Sequence, residues 1–472
     1  MSAATAFAGR RLHFVGIGGA GMSGLALVAR QLGADVTGSD RAESSYSARL
    51  REHGIEPAIG HAAGNLPAGA EVVVSTAIPE RNPELVAARS AGAPIIHRGD
   101  LLGELTRLKR CIAIGGTHGK TTTCGMVAHV LRETGRDPAF LIGGELRSAG
   151  TNAAWGEGEW IVAEADESDR SFLKLARDVA VVTNVELDHH ATYRSLDELE
   201  RAFREFTAPA GCVVAWSDAR RALGDDVAGG IVEYDISGAG RGAARAVDAA
   251  AAVGLSADDV ELRPLGARFS VDGAAVDLAV PGRHNVLNAL AALAACRAAG
   301  VELAEAAPAL ATFAGTGRRF EDRGRTASGA RVFDDYAHHP TEVRATLEAA
   351  RTLGARRIVA CFQPHLYSRT RELAREFGRA LALADVVVVL DVYPARERAE
   401  DFPGVSGLTI AEAVADAAAG RPVWWLPTMD VAERMLRDRL TTGDALLTLG
   451  AGDVDVLATR LIEVADGEER AR

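Results

Sequence analysis

The chain has 472 residues, 48% of them hydrophobic and 25% charged, with a formal net charge of −12. That length exceeds what a single hydrophobic core supports and predicts two or three domains. The acidic balance excludes nucleic acid as the main partner, since binding a phosphate backbone needs a basic face, and leaves phosphorylated small molecules open.

Residues 12–15 form the first strand-like apolar run. They lead into Gly16-Ile17-Gly18-Gly19-Ala20-Gly21, and a helical pattern follows over 22–32. Gly16, Gly18 and Gly21 have the GxGxxG spacing of a dinucleotide fingerprint, and Asp40 stands where a ribose-binding acid would. By itself the loop suits NAD(P) or any other diphosphate. Short strands at 71–75 and 94–97 predict a small doubly wound sheet, and the basic stretch 107–110 marks a boundary.

A second alternation opens with the strand 111–114, the loop Gly115-Gly116-Thr117-His118-Gly119-Lys120-Thr121-Thr122 and a helix over 120–133. Glycines let backbone N–H groups converge on phosphate oxygens, and the helix start adds partial positive charge. Lys120 would neutralise the outer phosphates and the Thr121 hydroxyl would ligate Mg²⁺. The spacing falls short of GxxxxGK[ST], because Ile114 occupies the place of the first glycine.

Strands at 160–163 and 179–183 suit a parallel sheet buried on both faces. Glu164, Asp166, Glu167 and Asp169 follow the first of these, where carboxylates can hold a metal beside a nucleotide. Glu164, nearest the strand, is the candidate ligand; a solvated acidic loop is the expectation for some of the others. Thr183-Asn184-Val185-Glu186-Leu187-Asp188-His189-His190 follows the second strand and favours a metal or phosphate role. Residues 237–255 are Ala/Gly-rich and predict no definite element. Pro281-Gly282-Arg283-His284 leads into an apolar helix over 285–299, stopped by Gly300.

A third alternation starts at the strand 331–335 and continues through 358–362, 386–390, 423–426 and 445–449, which predicts another βαβ domain. Asp334-Asp335-Tyr336-Ala337-His338-His339-Pro340 and Gln363-Pro364-His365-Leu366-Tyr367-Ser368-Arg369 close two of these strands. They bring an acid, imidazoles, a phenol and a guanidinium to one sheet edge, a set able to orient an amine and grip a carboxylate. No apolar run approaches the ~20 residues that span a bilayer, and residues 1–10 lack a signal-peptide core. The five cysteines are scattered and form no CxxC, the pattern of reduced thiols in a cytoplasm.

As an ordered set these blocks resemble the Mur ligases over nearly the whole chain, and the family's own phosphate loop has the G-T-H-G-K-T form seen at Gly116–Thr121. The resemblance implies an α/β protein of three domains. These are an N-terminal Rossmann-like domain for a UDP-sugar (1–108), a central P-loop-type ATPase with a parallel sheet (109–321) and a C-terminal Rossmann-like domain for the amino acid (322–472). It implies ATP-dependent joining of L-alanine to the lactyl carboxylate of UDP-N-acetylmuramate through an acyl phosphate, in peptidoglycan precursor synthesis. ATP, Mg²⁺ (or Mn²⁺), a cytoplasmic location and a monomer or homodimer, with neither nucleic acid nor membrane as partner, belong to the same expectation.

Carried over residue by residue, Gly115 to Thr122, His284, Asn288, Arg319 and Asp335 would bind ATP. Thr121, Glu164 and His189 would hold the metal, and Gly18, Gly19, Ala20, Gly21, Met22, Asp40, Ser75 and His97 the UDP-sugar. Tyr336, His365 and Arg369 would take the amino acid, and Lys120, Glu164, His189, Asp335, His338 and His365 would carry catalysis. Many members have Arg after Gln-Pro-His where this chain has Leu366, which removes one guanidinium from the expected carboxylate clamp. Other readings are a family member that attaches a preformed peptide to the same nucleotide, an NAD(P)-dependent oxidoreductase and a non-catalytic nucleotide sensor. The run 164–172 favours alanine addition over the peptide-attaching reading, and an oxidoreductase would leave the Lys120 loop without a purpose.

Overall fold

A computed structural model describes residues 5–189, 192–237 and 254–469. His190 and most of the Ala/Gly-rich stretch lie outside them. The chain divides into two compact units: Met1–Asp259, Phe269–Asp277 and Val286–Ala314 form one, and Val260–Arg268, Leu278–Asn285 and Gly315–Arg472 the other.

The first unit carries two sheets. Five parallel strands in the order Ala58–Ile59, Asp35–Asp40, Arg11–Val15, Glu71–Val74, Ile95–His97 make the doubly wound sheet expected near the N-terminus. Strand Asp35–Asp40 was not evident in the sequence, because two aspartates and a glycine break the apolar run. The glycine is required there, since a Cβ on Gly38 would stand 2.6 Å from the Phe14 carbonyl oxygen.

In the larger sheet, Gly230–Ile236, Cys212–Trp216, Val179–Val182, Arg110–Gly115, Trp160–Glu164 and Ala139–Leu146 run parallel in that order, with Thr151–Ala154 antiparallel at the edge. Strands Leu255–Arg263, Gly266–Val271 and Ala274–Leu278 extend its other side. Val179–Val182 and Cys111–Ile114 are fully buried, as parallel strands covered on both faces must be. One apolar cluster, from Phe7 and Leu25 to Phe172, Phe203 and Phe206, runs continuously through this unit.

The second unit holds a six-stranded sheet in the order Glu321–Arg325, Arg331–Asp335, Asp444–Leu449, Arg357–Phe362, Val386–Val389, Val423–Trp425. Only the first pair is antiparallel. Phe333, Phe362 and Phe377 centre the core on one face, and Cys361, Leu446 and Leu457 the core on the other. Among the described residues no helix is long and apolar enough to cross a membrane.

A candidate ATP-dependent ligase site

Strand Arg110–Gly115 ends in the glycine loop, and helix Lys120–Glu133 begins straight after it. Gly116 and Gly119 have φ of 128° and 82°, conformations that suit glycine. Packing adds a second reason: a Cβ on Gly116 would overlap the Thr183 hydroxyl, and one on Gly119 would lie 2.5 Å from Asn288 Oδ1. The strand end that follows Val182 moulds the loop. His118 N donates to Asn184 Oδ1 at 2.8 Å, Thr183 Oγ1 donates to His118 O at 2.6 Å, and Thr117 Oγ1 donates to Glu186 O at 2.9 Å. Thr183 and Asn184 therefore shape the glycine loop, and no acid stands in the first turn of the helix to compete for its amide groups.

Lys120 folds back over this loop. Its ammonium donates to Gly116 O at 2.6 Å and lies 2.9 Å from Glu167 Oε2. Burial opposes the charge, yet Glu167, Asp166 and Glu164 together hold its pKa above the usual lysine value. Thr121 Oγ1 donates to Glu164 Oε1 at 3.1 Å, and Gly143 N donates to Glu164 Oε2 at 2.7 Å. His189, at a left-handed φ of 55°, brings Nε2 to 3.3 Å from Glu167 Oε1. Thr121, Glu164 and His189 thus reach one strand-end region, with Glu167 between Lys120 and His189.

The acidic run is not a solvated loop. Glu167 is fully buried, and Arg98 Nη2 donates to Asp166 Oδ2 at 2.6 Å and to Asp169 Oδ2 at 3.0 Å. The carboxyl of Asp166 sits far below its ordinary range; burial works against this, and Arg98 and then Lys120 outweigh it. Sequence reasoning missed Glu167 and Arg98 as site residues, because their partners lie 47 and 68 residues away. The only signal was the acidic density itself.

Around the first glycine loop, Gly18 N donates to Asp40 Oδ2 at 2.8 Å and Ser44 Oγ donates to Gly18 O at 3.0 Å. Asp40 thereby closes the loop, in addition to any role toward a ribose. The Met22 side chain is packed in the core, so its part in binding can come only from its backbone, in the first turn of helix Ala20–Gln31. His97 caps helix Arg98–Thr106, accepting from Gly99 N through Nδ1 at 3.1 Å, and its Nε2 lies 3.7 Å from Asp169. Ser75 follows strand Glu71–Val74 and makes a weak turn contact with Ala77 N at 3.4 Å. A cleft of about 210 Å³ is lined by Gly21, Arg98, Leu141, Gly143, Glu164 and Asp166, between the first glycine loop and the metal-candidate carboxylate.

In the second unit the two expected motifs meet. The His338 ring is 5.4 Å from that of Tyr336 and 5.9 Å from that of His365, and Arg369 Nη1 lies 3.3 Å from His365 Nδ1. Tyr393, which sequence reasoning did not mark, stacks on His365 at 5.8 Å. Asp335 accepts from Phe320 N at 2.9 Å and Ala337 N at 2.8 Å, and burial pushes its carboxyl up to about 6. His284 is pushed down to about 4 by burial and then by the charge of Arg319, which also lies over the Tyr336 ring at 5.2 Å. Asn288, assigned to the first unit, packs its carboxamide against Gly119 and accepts from Thr123 Oγ1 at 3.3 Å.

Asp334 is an anchor instead: it is ion-paired with Arg318 at 2.9 Å and accepts from Thr448 Oγ1 at 2.8 Å. Leu366 is buried at a left-handed φ of 71°, its N–H donating to Tyr393 O at 3.0 Å. His189, Arg318, Phe320 and Leu366 all hold left-handed backbone beside candidate residues, the kind of strain that surrounding structure retains at functional sites.

A lysine-bearing glycine loop at a parallel-sheet edge, carboxylates and an imidazole beside it, and a separate Rossmann-like unit define an ATP-dependent ligase architecture. The chain belongs to the Mur ligase family: it matches that family's catalytic domain over residues 11–110, its middle domain over 114–296 and its glutamate ligase domain over 318–452. It is 47% identical to a UDP-N-acetylmuramate–L-alanine ligase of Streptomyces coelicolor, over 96% of this chain and 97% of that one. Among solved structures, the UDP-N-acetylmuramate-alanine ligase of Thermotoga maritima is similar with a TM-score of 0.81 and 30% identity, covering 97% of this chain and 99% of that one. A murein peptide ligase of Psychrobacter arcticus is also similar, with a TM-score of 0.73 and 26% identity over 96% and 98% of the two chains. The architecture is the three-domain one of the family, and the family is ATP-dependent.

Proposed function

We propose that the chain is an ADP-forming ligase that joins L-alanine to the lactyl carboxylate of UDP-N-acetylmuramate in peptidoglycan precursor synthesis, working in the cytoplasm. The observation that carries the ligase reading is the convergence of Lys120, Thr121, Glu164, Glu167 and His189 at one strand-end region. The high identity to alanine-adding relatives supports the choice of amino acid. In this reading residues 1–108 receive the UDP-sugar, 109–321 the ATP and 322–472 the amino acid.

First, a lactyl carboxylate oxygen bonds to the γ-phosphorus of ATP and ADP leaves. Two anions meet, so charge neutralisation dominates the barrier. Lys120 supplies a fixed cation by exchanging Glu167 for phosphate oxygens. Thr121, Glu164 and His189 fit Mg²⁺ (or Mn²⁺), since a hydroxyl and a carboxylate already stand 3.1 Å apart with an imidazole in the same region. When bound, the ion would supply Lewis-acid neutralisation of phosphate charge. Next, the neutral amine of L-alanine bonds to the carbonyl carbon of the acyl phosphate, and inorganic phosphate leaves with one former carboxylate oxygen. The imidazoles of His338 and His365 are the groups offered for the amine proton, and Arg369 for the alanine carboxylate.

The test is phosphate release with UDP-N-acetylmuramate, ATP and Mg²⁺ against glycine, L-serine, L-alanine and a preformed tripeptide in turn. L-alanine is expected to support the fastest release. Clear preference for the tripeptide would instead assign the activity of the peptide-attaching members.

A further inference from the structure

Arg98 opens helix Arg98–Thr106, and its guanidinium lines the cleft between the first glycine loop and Glu164. Both of its carboxylate contacts, to Asp166 and Asp169, use the single nitrogen Nη2. Among the described residues Nη1 has no hydrogen-bond partner, and it lies 3.5 Å from where a Cβ on Gly21 would stand. A guanidinium pinned at one nitrogen by two carboxylates keeps its remaining planar donors aimed in a fixed direction. Gly21, Gly143 and Glu164 line the same cleft as Arg98.

We propose that Arg98 binds an anionic group of the sugar nucleotide, either its diphosphate or its lactyl carboxylate, while Asp166 and Asp169 orient it. The inference rests on the functional reading above, which supplies the ligand. It makes the pair of aspartates second-layer supports of a substrate contact, and explains why the loop after Glu164 carries more carboxylates than a metal site needs. Gly21 fits the same role, since the absence of a side chain keeps the path to Nη1 open.

The experiment is calorimetric titration of the full chain with UDP-N-acetylmuramate, with UDP-N-acetylglucosamine, which lacks the lactyl group, and with ADP. Arg98→Met and Arg98→Lys are each expected to weaken UDP-N-acetylmuramate binding by about tenfold or more, with ADP affinity kept within about twofold. Thermal unfolding of both variants checks that they fold, and the lysine variant keeps the charge if methionine disturbs the loop. Equal loss for both UDP-sugars supports the proposal with the diphosphate as the group held; loss confined to UDP-N-acetylmuramate supports it with the carboxylate. Unchanged sugar-nucleotide affinity or a parallel fall in ADP affinity would overturn the proposal alone. Failure of the unaltered protein to bind either UDP-sugar would overturn the functional reading, and this inference with it.

Discussion

The two candidate clusters are built on opposite electrostatic plans. Around Lys120, charges are buried in direct contact: a lysine against Glu167, an arginine against Asp166 and Asp169, and Glu164 against a hydroxyl and a backbone N–H. Around His365, rings pack on rings, Tyr336 to His338 to His365 to Tyr393, with Arg369 at the margin. The difference matches the chemistry proposed for each. A region that stabilises transferring phosphate needs fixed charge placed in advance, because reorienting solvent during the reaction raises the barrier. A region that receives an amino acid and accepts a proton from its amine works better with polarisable, titratable rings close to neutrality.

The contrast can be broken at its strongest point first. Lys120→Ala should lower phosphate release by about a thousandfold or more while the circular dichroism spectrum stays unchanged, since it removes a charge aimed at the transferred group. Turnover near that of the unaltered protein would remove the loop from the mechanism. His365→Ala should raise the KM for L-alanine by about tenfold and leave the KM for ATP unchanged. An equal rise in both constants would show that the two clusters do not divide the substrates as described.

A smaller effect is expected at Glu167. Its carboxylate holds the Lys120 ammonium that phosphate would take, so Glu167→Gln should tighten ADP binding in the absence of metal by about threefold. Weaker metal-free binding would mean that Glu167 chiefly positions the lysine.

Another effect concerns stability and pH. His284 is pushed down to about 4, so between pH 4 and 6.5 the unfolded chain binds the proton that the folded chain refuses. Its contribution is fully present above 6.5 and is lost as pH falls toward 4. Asp335, raised to about 6, has the opposite slope, because the folded chain keeps a proton that the unfolded chain releases. His284→Gln should therefore reduce the acid-side loss of stability by an amount on the order of 1 kcal/mol, read from urea unfolding at pH 4.5 and 7. An identical pH dependence in both proteins would place His284 in water.

Local pattern made the framework legible. The helix expected over 120–133 is Lys120–Glu133, and the strand expected over 331–335 is Arg331–Asp335, because in both places periodicity and flanking glycine or charge agree. Strand Asp35–Asp40 was hidden, since two aspartates and Gly38 break its apolar run, and the need for Gly38 comes from the Phe14 carbonyl on the neighbouring strand. The motif residues were legible as types, but their partners were not. Glu167 reads as one carboxylate among four until the fold brings Lys120 and His189 to it, and Asp166 reads as solvated until Arg98 arrives from the start of helix Arg98–Thr106. The core packing of Met22 and the buried, left-handed Leu366 likewise depend on neighbours distant in sequence.

The central claim is that a carboxylate is activated by phosphorylation at the Lys120 loop before it meets the amine. Oxygen-18 placed in the lactyl carboxylate of UDP-N-acetylmuramate follows that event directly, with turnover run in unlabelled water with ATP, Mg²⁺ and L-alanine. Mass spectrometry of the released phosphate should find one labelled oxygen in each phosphate formed. Unlabelled phosphate accompanying amide formation would contradict the account.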